Sequence, residues 1–103
     1  MYLTNRNTNE IIKIRSISMH LLKDKMYSVE FLRFKDTDQL NRFDNNALGE
    51  YEAYRNVVFY AAVTIDEKLN ELVAPEYTVL DSLLRAMYLA YVSLNPDWEF
   101  VEQ

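Results

Sequence analysis

Six apolar residues spaced alternately three and four apart (Tyr77, Leu80, Leu84, Met87, Tyr91 and Leu94) run without a break through the C-terminal third of the chain. That period puts them on one side of a helix and on no single side of a strand. Asn95-Pro96 closes the run, because the residue before a proline disfavours the helical conformation. A helix is therefore expected over about residues 76–94, with Pro75 separating it from whatever precedes it.

The stretch before Pro75 admits two readings. Leu48, Tyr51, Tyr54, Val58, Ala61, Ile65, Leu69 and Leu72 also recur every three or four residues, which predicts a long helix over about 47–72. Its centre, VVFYAAV, is apolar on every side, and such a short run suits a buried strand equally well. The periodicity on both flanks favours the helix; a third strand over 56–65, in a split β-α-β arrangement, is the alternative. If both helices form, the short break at Pro75 predicts that they pack antiparallel.

The N-terminal third has strand character. Ile17, Met19 and Leu21 alternate with polar residues, and MYSVEFLRFK (residues 26–35) is β-branched and aromatic. A hairpin over about 11–35 with Lys23-Asp24-Lys25 as its loop sets 21 opposite 27, 19 opposite 29, 17 opposite 31, 15 opposite 33 and 13 opposite 35. This register gathers Ile17, Met19, Leu21, Tyr27, Val29 and Phe31 near the turn. It also sets Lys13 against Lys35 and Arg15 against Arg33, which is destabilising unless something neutralises them. Each face of the ribbon is then apolar over only half its length. Residues 36–44 suit a linker or short helical turn with Thr37 as N-cap, and DWEFVEQ a short C-terminal strand or docking arm.

The fold expected is thus α+β: one domain over 1–103, with an N-terminal β-hairpin packed on an antiparallel pair of helices and a short C-terminal strand. Half of the residues are hydrophobic, enough for a core without covalent staples. The absence of cysteine removes disulfides and thiolate chemistry, and one histidine is a poor start for a zinc site. No signal peptide or membrane span is apparent, so the cytoplasm is the expected location.

No catalytic pattern emerges. Gly49 is the sole glycine, which rules out a phosphate loop and makes a tight nucleophile turn hard to build. His20 beside Ser18 would still need an orienting acid and an oxyanion hole. Glu67 and Glu71 share a helical face, but the second helix offers only Glu76 and Asp81, at its start, where acids suit the helix dipole. No enzyme, metal or cofactor is expected.

Charge and aromatic content suggest binding instead. Residues 1–35 carry seven Lys/Arg against three acids, whereas residues 36–103 carry four against thirteen. Lys13, Arg15, Arg33 and Lys35 form a candidate contact for an anion or acidic partner, or for the acidic part of the same chain or of a second copy. A basic ribbon suits nucleic acid, but the whole chain is acidic, at net −5, which disfavours that reading. Imitation of nucleic acid by the acidic helices is a further alternative. Eight tyrosines exceed what two helices can bury, so an aromatic interface is expected. Its candidate anchors are Tyr88, Tyr91, Trp98 and Phe100, with Tyr51 and Tyr54. The function expected is that of a small, non-enzymatic regulatory or accessory protein that binds protein and self-associates, a dimer being favoured.

Overall fold

The computed structural model describes residues 1–20, 26–45, 54–71 and 78–102. They form strands β1 (Tyr2–Asn5), β2 (Ile11–His20), β3 (Met26–Phe34), β4 (Tyr54–Ala61) and β5 (Trp98–Val101), and helices α1 (Thr37–Asp44), α2 (Ala62–Glu71) and α3 (Val79–Leu94). The strands make one antiparallel sheet in the order β4-β3-β2-β1-β5. The α+β class holds, but the sheet is larger than a hairpin.

The helix expected over 47–72 is corrected. Residues 54–61 are strand β4, paired along its whole length with β3, and only from Ala62 does the chain turn helical. Residues 46–53 and 72–77, with Tyr51 and Pro75 among them, lie outside the described residues. Within VVFY, Val58 and Tyr60 turn towards the core while Val57 and Phe59 are exposed, a period of two. Coincident spacing across a strand and a helix had imitated one longer helix. The alternative of a third strand was nearer the outcome, though residues 62–65 belong to α2.

The ribbon register also differs. Met19 pairs with Tyr27 and Ile17 with Val29, two residues away from the expected pairing. A two-residue shift keeps every side chain on its face, so Ile17, Met19, Tyr27, Val29 and Phe31 remain together, while Leu21 lies outside the described residues. Between Ile14 and Ser16 the register slips, making Arg15 the extra residue of a β-bulge. The bulge turns Ile12 and Ile14 onto the face of Ile17 and Met19 and extends the apolar side there, while the other face keeps Ile11, Leu32 and Phe34 at one end and Ser16, Ser18 and Ser28 towards the other. Phe31 now faces Ile14, and Arg33 faces Ile12 instead of Arg15. The opposed like charges are gone. Lys23-Asp24-Lys25, the expected loop, lies outside the described residues.

β1 had no distinct signal, being four residues long. Its turn into β2 is built by Asn5, whose side-chain oxygen accepts the N–H groups of Asn7 and Thr8, and by Asn9 at φ 62°. Asparagine is among the few non-glycine residues that tolerate this conformation. β5 pairs with β1 along all four residues, so the C-terminal strand forms the second edge of the sheet.

One face of the sheet carries α3 and α2. Leu3, Ile12, Val29, Phe31 and Tyr60 from the strands share a core with Ile65, Ala86, Met87, Tyr88 and Ala90. The buried side of α3 is rotated from the expected stripe: Leu80 and Leu94 are exposed, while Ala86 and Ala90 are buried. Small residues let the helix approach the sheet closely. Thr78 caps α3 through a hydrogen bond from the Asp81 N–H, and the helix ends at Leu94 before Pro96, as expected. On the opposite face, α1 is capped by Asp36 rather than Thr37, and sets Leu40 and Phe43 against Ile11, Leu32 and Phe34. α1 covers only that end of the face; beside the other end stand Ser16, Ser18, His20, Ser28, Val57 and Phe59.

Candidate binding surface

The structure brings the four main aromatic candidates together, but inside the fold. Tyr88 and Trp98 are 2% and 6% exposed, and Tyr91 and Phe100 are half-buried. Ring centroids lie 5.1 Å apart for Phe31 and Tyr91, 5.7 Å for Tyr88 and Phe100, and 6.0 Å for Tyr91 and Trp98. Arg33 and Arg85 lie over the Trp98 and Phe100 rings, each at 5.8 Å. Of the tyrosines that looked surplus to two helices, Tyr60, Tyr88 and Tyr91 pack into the core between helices and sheet. Tyr51 lies outside the described residues, and of Tyr54 only the backbone is described, paired with Arg33.

Tyr88 does more than pack. Its hydroxyl accepts the Ile14 N–H at 2.8 Å and donates to the Met1 carbonyl at 3.3 Å, so it satisfies a backbone donor at the edge of the bulge. Burial pushes its ionisation up to about 12, opposed by the bond from Ile14. Burial raises the Tyr91 and Tyr60 hydroxyls as well. That of Tyr60 is buried without a hydrogen-bond partner.

The basic cluster is dispersed among the chain's own carboxylates. Arg33 grips Glu10 with two bonds, Nε to Oε2 at 2.6 Å and Nη2 to Oε1 at 3.0 Å. Arg15, thrown out by the bulge, meets Glu30 at 2.9 Å, and Lys13 approaches Asp44 on α1 at 3.8 Å. Lys35 is exposed just before α1, its backbone N–H donating to Gln39 Oε1. Lys13 thus meets the acidic part of the chain at Asp44, whereas Arg15 and Arg33 pair with Glu30 and Glu10 inside the basic segment itself.

The Arg33 hydrogen bonds hold the Glu10 carboxyl below its ordinary value of 4.5, helped by the Thr8 hydroxyl against some desolvation. The unfolded chain then binds the proton more tightly than the folded one. The resulting stability is complete above pH 4.5 and is lost as pH falls through the lower folded value. Glu10→Gln should therefore cost about 0.5–1 kcal/mol at neutral pH, and its urea midpoint should converge with the wild type's in acid. A constant gap at all pH values would contradict this account.

Other groupings fall short of a catalytic site. His20 Nε2 and Ser28 Oγ are 3.0 Å apart on the open face, but no acid orients the ring among the described residues. Among those residues, no three metal-ligating side chains come together, and no helix is long and apolar enough to cross a membrane. An open groove of about 570 Å³ lies between β2 and the start of α3, floored by Ile14, Ile17 and Tyr27 and walled by Leu80, Leu83 and Leu84. Arg15 and Ser16 also line it, and Arg15 is engaged with Glu30.

The remaining surface feature is the free edge of β4. This strand borders the sheet, and no described strand pairs with its outer side. Val57 and Phe59 are 49% and 59% exposed on the face that α1 leaves open, and the His20 ring lies 6.2 Å from that of Phe59. Neither residue was among the sequence candidates. The VVFY alternation signals them once the segment is known to be a strand, but its edge position belongs to the topology. The described residues thus define an α+β protein with a five-stranded antiparallel sheet and one long edge, β4, on whose outer side no described strand pairs. No protein-family model, curated protein or solved structure matches it.

Proposed function

We propose that this is a non-enzymatic, protein-binding regulatory or accessory protein whose working surface is the β4 edge, together with Val57 and Phe59. The carrying observation is the character of that edge. β4 has eight residues, no proline or glycine, a continuous register with β3 and a single charge, Arg55. Natural sheets usually blunt such edges with charge, proline, bulges or short length, because unpaired N–H and C=O groups recruit another strand. A partner strand laid along β4 gains main-chain hydrogen bonds and apolar contact with alternate side chains. The nucleic-acid alternative is weakened by the ion pairs of Lys13, Arg15 and Arg33, which engage three of the four candidate phosphate contacts with carboxylates.

The test is titration of isotope-labelled protein with a peptide of sequence YRNVVFYA, residues 54–61, bearing appended lysines for solubility. Saturable changes in backbone amide signals confined to β4 and adjacent β3 are expected. If the peptide causes no change, or changes that avoid β4, this surface assignment fails.

A further inference from the structure

We infer that the strand β4 accepts is β4 of a second copy, in an antiparallel two-fold pairing centred on Val58. The inference rests on the reading of β4 as a binding edge and adds the identity and register of its partner.

The two edges of the sheet differ in ways that select between assemblies. β5 has four residues, half the length of β4, and carries Glu99 paired with Arg6 beside Glu102 paired with Arg85, so it offers a second copy a shorter and more heavily charged edge. Pairing β4 with β5 of another copy is head-to-tail and leaves a further edge open at each end, whereas β4 on β4 uses one patch twice and closes.

Symmetry restricts the register. About a two-fold axis normal to the sheet, directly opposed residues must lie on the same face, and each pairing occurs twice. Centring on Val58 sets Val57 opposite Phe59, Val58 opposite itself, Asn56 opposite Tyr60 and Arg55 opposite Ala61. Apolar meets apolar at the exposed positions, and the only charge meets alanine, so no like charges face each other. Val57 and Phe59 of both copies then form one strip across the junction. That arrangement accounts for two large exposed apolar side chains on a strand that sheet geometry leaves unpaired.

The experiment is light scattering after size exclusion over a wide concentration range. The wild type is expected to rise from 12.3 kDa towards twice that mass. Val57→Lys/Phe59→Lys and Val57→Glu/Phe59→Glu should each remain at the single-chain mass, because like charges then oppose one another at both positions. Mixing the two variants should restore the two-chain species, which also shows that both are folded. Val57→Lys mixed with Phe59→Glu should likewise associate more tightly than either alone, since these positions oppose each other in the Val58-centred register. A dimer that survives both double variants, or a mixture that fails to recover, overturns the β4–β4 pairing. A wild type that stays at 12.3 kDa throughout overturns the second copy as partner, and the edge assignment is then judged by the peptide titration alone.

Discussion

Phe31→Ala should destabilise the protein by about 3–5 kcal/mol, a large part of the roughly 5–15 kcal/mol typical of a small domain. Phe31 is fully buried in β3, the second strand of the sheet order, with a paired neighbour on each side. Across the ladder it faces Ile14 on β2 and Asn56 on β4, and its ring lies 5.1 Å from that of Tyr91 and 6.2 Å from that of Tyr88. Truncation removes the shared neighbour of the aromatic cluster. Collapse into the space is resisted because the backbone is held by ladders on both sides. Urea unfolding followed by circular dichroism measures the effect. A loss under about 1 kcal/mol would mean that the core is not organised around this ring.

Tyr88→Phe tests a single oxygen atom. The ring and its contacts with Phe31 and Phe100 remain, while the Ile14 N–H loses its acceptor and the Met1 carbonyl its donor. An orphaned buried polar group costs about 1–3 kcal/mol, so that fall in stability is expected. The specific signature is local: amide hydrogen exchange at Ile14 should quicken beyond what the global loss explains. Unchanged relative protection at Ile14 would show that the bulge does not depend on Tyr88.

These variants mark where sequence and structure part. The hydroxyl that supports the bulge comes from 74 residues along the chain, so local alternation in β2 could not announce the slip at Arg15. An unbroken strand reading therefore sets Arg15 against Arg33 and predicts a basic cluster. With the bulge, Arg15 meets Glu30 and Arg33 meets Glu10. The apolar set Ile17, Met19, Tyr27, Val29 and Phe31 survived the register error because a shift of two residues preserves faces. Val57 and Phe59 were missed for a different reason: they sit in an apolar run too short to distinguish helix from strand.

The sequence by itself determined what depends on neighbouring residues: the strand character of residues 11–20 and 26–34, and a last helix that stops before Pro96. Those follow from periodicity, β-branching and the steric effect of proline. Only the tertiary structure decided what depends on distant partners. A four-residue β1 gains its place between β2 and β5, VVFY becomes an edge strand by pairing with β3, and Tyr88 and Trp98 move from candidate surface to core. Each of these outcomes rests on hydrogen bonds and buried area contributed by far segments of the chain, where no local spacing records them.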